Sequence, residues 1–202
     1  AFGYGVTSNS TIHKMLKIDT SGIIGYSLSQ IRRQLELLPP DVTPKKIIYL
    51  YCMNNPILIS FGPSRFFLRG RLALFQRAQD FVLNLQYEMS GRNYYDFLHK
   101  TGVSRMKDDF RTMIDISKSK ESSFLVAVVP VLAWGEAGGE YAWRKEANEV
   151  CSMVTEAGGG CIDLLPALHD LDSGAVALPG DWIHPNVLGT RRIADALRKY
   201  VK

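Results

Sequence analysis

Lys46-Ile47-Ile48-Tyr49-Leu50-Tyr51-Cys52-Met53 is, after its lysine, a continuous apolar run that stops at Asn54-Asn55-Pro56. Successive side chains of a strand point to opposite faces, so a strand with one wet face alternates polar and apolar residues. This run does not alternate. It is rich in β-branched and aromatic residues, and it predicts a strand covered on both faces, as in a parallel sheet between helices. Ser123-Phe124-Leu125-Val126-Ala127-Val128-Val129 repeats the pattern and ends at Pro130. Cys161 to Leu165 gives a third buried strand, and Leu16 to Asp19 a short candidate near the start of the chain.

Helical periods fill the intervals. Leu28, Ile31, Leu35 and Leu38 recur at helical spacing and predict a helix over 28–38, which Pro39-Pro40 stops. Met106, Phe110, Met113 and Ile114 align on one face of a second. A third runs from Tyr141 to Ala157 and halts at Gly158-Gly159-Gly160, which lacks the flanking pattern of a phosphate loop. The last spans Val187 to Val201, with Ile193, Leu197 and Val201 inward and Arg191, Arg192, Arg198 and Lys199 outward. Residues 135–140 and 166–180 are loops. Strands alternating with helices predict an α/β sandwich with a parallel sheet and helices on both faces. No repeat or linker divides the chain, so residues 1–202 form one domain with an irregular insertion at about 56–103. Within it, residues 64–87 interleave basic and apolar side chains. They suit first an ordinary surface helix packed on the domain, with a lid or a membrane-surface helix near the site as the functional alternative.

A chain of 202 residues can bury a full core. Its 46% hydrophobic and 22% charged residues are ordinary for a globular protein. A net charge of +4, with the basic residues scattered, argues against a nucleic-acid face. Cys52 belongs to a strand and reads as core. Cys151 and Cys161 flank the glycine run and could be bridged, though nothing in the sequence requires it. The histidines show no metal-ligand spacing. His13 and His169 read as surface or capping residues, His99 as an exposed helix residue, and Trp134 and Trp143 as packing residues.

The chemistry gathers at strand ends and the loops after them. In Asp181-Trp182-Ile183-His184-Pro185-Asn186 an acid precedes a histidine by three residues. A tight loop of that spacing can set a carboxylate against the imidazole Nδ1, so that the other ring nitrogen accepts a proton. The plainer alternative is a helix start, with Asn186 capping and Asp181 solvated. Gly25 and Asn54 supply a backbone N–H and a side-chain amide, two donors suited to an oxyanion. Trp182, between acid and base, is placed to shape a pocket. His184 as general base, Asp181 as its orienter, and Gly25 and Asn54 as an oxyanion hole make an acyl-transfer site that lacks only its nucleophile.

These blocks resemble the SGNH/GDSL hydrolase family. Asp181-Trp-Ile-His184-Pro-Asn186-Val-Leu-Gly189 looks like its last block, Ser21-Gly-Ile-Ile-Gly25-Tyr-Ser-Leu-Ser-Gln30 like its second, and Tyr51-Cys-Met-Asn54-Asn55 like its third. Cys52 and Asn55 stand where the family usually has Gly and Asp. The resemblance implies a flavodoxin-like three-layer fold and a serine nucleophile that forms an acyl-enzyme. It implies no cofactor, and as substrate a small-molecule, carbohydrate or lipid acyl ester. The family's first block, which carries the serine and the first central strand, is expected just upstream of Ala1. Within the chain the competing candidates are Ser8 and Ser10, which read better as turn or capping residues. Two alternatives stay open. The same site could transfer an acyl group to a carbohydrate, or the domain could be a catalytically silent binding module.

Overall fold

A computed structural model describes residues 6–21, 26–53 and 94–201, with the backbone alone at 94–98 and 101. Gly25, Asn54 and the whole of 64–87 lie outside the described residues.

The apolar runs form the strands. β1 (Lys46–Cys52), β2 (Ser123–Val129) and β3 (Gly160–Asp163) make a parallel sheet in the order β1-β2-β3. Lys46 lies opposite Ser123 and Cys52 opposite Val129, so β1 and β2 end at the same edge. Every residue from Phe124 to Val129 is buried, which requires cover on both faces of β2. β1 meets the same expectation in part: Tyr49 and Tyr51 are buried, while its other residues are half-exposed. Among the described residues β1 is an edge strand, with one neighbour to pack against.

Helices supply the cover. α1 (Ile12–Leu16) packs against the C-terminal helix, and α2 (Leu28–Glu36) lies on the long α3 (Tyr94–Ser119). α3 and α4 (Arg144–Glu156) pack on the sheet. The short α5 (Ser173–Val176) leads into α6 (Val187–Val201), which buries Ile193, Ala194 and Leu197. The result is a mixed α/β protein with a three-stranded parallel sheet flanked by helices.

Several boundaries moved for identifiable reasons. Leu16 to Asp19 is not a strand. Lys17 adopts a left-handed backbone (φ 56°), and the N–H groups of Lys17 and Ile18 return to the carbonyls of Lys14 and His13. That is a helix-closing motif, so these residues end α1. The same device ends α4: Gly158 takes φ +85°, and the N–H groups of Gly158 and Gly159 return to Thr155 and Val154. The glycine run is therefore a cap leading straight into β3, which starts at Gly160. The Tyr141–Ala157 helix begins only at Arg144, and β3 ends at Asp163, two residues before the expected end. The stretch 166–180 is not all loop, because it contains α5 and a 3-10 turn at Leu165–Ala167 runs into it.

Two polar groups stitch helices inside this frame. Asp109 of α3, 1% exposed, accepts from Arg32 at 2.8 Å and from Ser29 at 2.5 Å, both on α2. His99 is 1% exposed rather than at the surface, because Glu149 of α4 meets its Nε2 at 2.8 Å and α4 covers it. Cys151 and Cys161 form a disulfide that ties α4 to β3. Cys52 lies outside that bridge, and burial pushes its thiol up to about 12, which keeps it protonated at neutral pH. Trp134 and Trp143 are buried.

Candidate functional site

The loop from Val176 to Asn186 is built by its own sequence. Leu178-Pro179-Gly180-Asp181 is a turn in which Asp181 N–H donates to the Leu178 carbonyl at 3.0 Å. Proline suits the first central position of such a turn, and Gly180 takes φ +71° at the second, where a side chain would be strained. Two further main-chain bonds close the loop: Leu178 N–H to the His184 carbonyl, and Asn186 N–H to the Val176 carbonyl. Within the expected loop 166–180 this turn is a defined structure. Its Pro-Gly pair was the available signal.

The turn delivers Asp181 beneath His184. Oδ1 of Asp181 accepts the N–H groups of Ile183 at 2.8 Å and His184 at 3.0 Å. Oδ2 lies 2.7 Å from His184 Nδ1. An ionised carboxylate only accepts, so Nδ1 carries the hydrogen and Nε2 is the accepting nitrogen of the neutral ring. Burial opposes ionisation of Asp181. The backbone N–H groups of Ile183 and His184, with the His184 side chain, outweigh it and hold the carboxyl below its ordinary 3.8. The His184 side chain keeps 34% of its surface exposed, so the ring reaches solvent while its acid is tied down.

Asn186 anchors the start of α6. Its Oδ1 accepts Gly189 N–H at 3.0 Å, capping the helix. Its Nδ2 donates to the carbonyls of Ala175 and Ala177. The capping role and the acid–histidine pair thus coexist. Both are served by one loop, and Asp181 is not merely solvated.

The loop is also fixed to the sheet. Leu132, three residues beyond the end of β2, donates its N–H to the Trp182 carbonyl at 2.7 Å. Val131 N–H donates to the buried hydroxyl of Tyr141 at 3.1 Å. The dyad therefore sits off the C-terminal edge of the strands, where open parallel sheets place ligands. Leu132 and Tyr141 were not among the expected site residues, and nothing local marks them, since their partners are distant in sequence.

The other expected residues fall into separate groups. Asp181 and His184 are brought together. Gly25 and Asn54 lie outside the described residues; β1 ends at Cys52, two positions before Asn54, at the edge where Leu132 holds Trp182. Ser8 and Ser10 lie in a 3-10 turn, where Ser10 Oγ pairs with Thr7 Oγ1 and the Ser8 carbonyl accepts from Thr11. His169 donates from Nε2 to the Gly139 carbonyl at 2.6 Å, holding the glycine-rich loop. Among the described residues no cluster of His, Cys, Asp and Glu is arranged to hold a metal, and no helix is long and apolar enough to cross a membrane. Compared with known proteins, the chain matches no family model, no curated protein and no solved structure.

Proposed function

We propose that this protein is a serine ester hydrolase of the SGNH/GDSL kind, with His184 as general base and Asp181 as its orienter. The observation that carries the reading is the 2.7 Å contact between Asp181 Oδ2 and His184 Nδ1, made by an acid whose other oxygen is held by two backbone N–H groups. A purely structural aspartate in such a turn needs only the backbone bonds. Pinning the carboxylate and offering it to a solvent-reaching imidazole is the arrangement a general base requires.

In this mechanism Nε2 of His184 takes the proton of a serine hydroxyl as its oxygen attacks the ester carbonyl carbon. The imidazolium is held against the Asp181 carboxylate. It then returns the proton to the leaving alcohol, and water completes hydrolysis of the acyl-enzyme by the same base. The Gly25 N–H and the Asn54 amide are proposed as donors to the oxyanion, each worth about 10²–10³ in turnover. The parallel sheet ending at the edge that grips the His184 loop supports a flavodoxin-like three-layer arrangement.

Intact-mass measurement after treatment with a fluorophosphonate tests the reading. One adduct, together with loss of p-nitrophenyl acetate hydrolysis in His184→Ala, is the expected result. No adduct, or undiminished hydrolysis by that variant, rejects it in favour of a silent binding module. Product analysis with and without a carbohydrate acceptor separates hydrolysis from acyl transfer.

A further inference from the structure

Trp182 is 64% exposed, although it lies between the two members of the dyad. Its backbone is not loose: its carbonyl is held by Leu132, and the next two N–H groups are held by Asp181. A fixed main chain thus projects an indole into water. Val187 and Leu188, which open α6, are 39% and 41% exposed. Among the described residues the exposed large hydrophobic side chains are Leu37, Val42 and these three. Three of the five therefore fall in residues 182–188, around His184. Single exposed apolar residues need no explanation, but three on the short segment that carries His184 do. Both ends of the set are held to the same loop, since Asn186 ties the start of α6 to Ala175 and Ala177.

Resting on the ester-hydrolase reading, we propose that Trp182, with Val187 and Leu188, is the surface on which the acyl chain of the substrate lies. It selects esters of longer apolar acyl chains over acetyl esters. A sugar ring stacked on an indole would need partners for its hydroxyls, and Val187 and Leu188 offer none from their side chains. An alkyl chain needs only apolar surface taken out of water.

The test compares p-nitrophenyl octanoate with p-nitrophenyl acetate, using the wild type, Trp182→Ala, Trp182→Phe and the distant control Leu37→Ala. The octanoyl-to-acetyl ratio of kcat/KM is expected to fall at least ~10-fold in Trp182→Ala, from lost apolar contact. Trp182→Phe and Leu37→Ala should keep the ratio within about threefold, since Phe retains a flat apolar face. Binding is read separately by fluorescence, because Trp134 and Trp143 are buried and Trp182 is the wet indole. Octanoate should shift the emission to shorter wavelength, acetate should not, and Trp182→Phe should abolish the shift. A ratio unmoved by Trp182→Ala in an enzyme that cleaves both esters overturns the acyl surface and leaves the hydrolase reading standing. A Trp182-dependent octanoate shift in a protein that cleaves neither ester overturns the hydrolase and leaves the surface standing. Absence of any octanoate shift overturns the surface in either case.

Discussion

Leu132 and Trp182 are fifty residues apart in sequence, yet the main-chain N–H of the first donates to the main-chain carbonyl of the second at 2.7 Å. This bond joins the continuation of the most buried strand to the loop that presents His184. The position of the imidazole is therefore set from two sides: by the local turn that aims Asp181, and by the bond to the segment that follows β2.

Replacing Asp181 with Asn should abolish most hydrolysis while the fold survives. The amide can still accept the backbone N–H groups through its oxygen, but its nitrogen then faces Nδ1. That geometry selects the ring tautomer with hydrogen on Nε2, where the proton must be accepted. By analogy with other acid–histidine pairs, turnover should drop about 10³–10⁴-fold. Measured kcat on a p-nitrophenyl ester within tenfold of wild type would show that the carboxylate is not catalytic.

The same aspartate should make stability depend on acid. Its folded carboxyl is held below the ordinary 3.8, so the folded state favours the ionised form more than the unfolded chain does. That contribution is fully present above the ordinary carboxylate value and is lost as pH falls through the lower folded one. Urea midpoints of wild type and Asp181→Asn, taken from pH 7 to pH 2, should differ most at neutral pH and draw together only as pH falls below the ordinary 3.8. A constant gap across that range would mean that the carboxyl is not stabilised in its ionised form.

Gly189→Ala should destabilise the protein, although alanine is normally the better helix residue by about 1 kcal/mol. A methyl at this position would run into the Val176 carbonyl oxygen and lie 2.9 Å from Cβ of Pro185. The oxygen belongs to the backbone and already accepts from Asn186, so it cannot yield cheaply. Overpacking of this kind costs about 1–3 kcal/mol, which outweighs the gain in propensity. Calorimetry should therefore show a lower Tm, with esterase activity lowered too because Pro185 adjoins His184. A raised Tm would contradict the close approach of α6 to α5.

Thiol titration of denatured, unreduced protein should find one reactive group, Cys52, and three after reduction. Removing the bridge through Cys151→Ser with Cys161→Ser should cost roughly 2–3 kcal/mol for a loop of this length. Three thiols before reduction would rule out the Cys151–Cys161 pairing.

The sequence by itself determined the elements whose signal is local. Unbroken apolar runs marked β1 and β2, because a strand buried on both faces has no reason to alternate. The period of Ile193, Leu197 and Val201 marked α6 from end to end. The spacing of Asp181 and His184 pointed to their pairing, because a three-residue reach lies within one turn. Local signals also misled: Leu16 to Asp19 looks extended in composition, but its backbone closes α1, and the amphipathic segment at Met106 concealed a helix reaching back to Tyr94. The tertiary structure alone decided that His99 is buried, since Glu149 lies fifty residues away. It alone decided that Trp182 stays wet on a fixed backbone, because the bond from Leu132 depends on how the end of β2 meets the loop. Contacts between distant segments exist only once the sheet has assembled, and no window of neighbouring residues contains them.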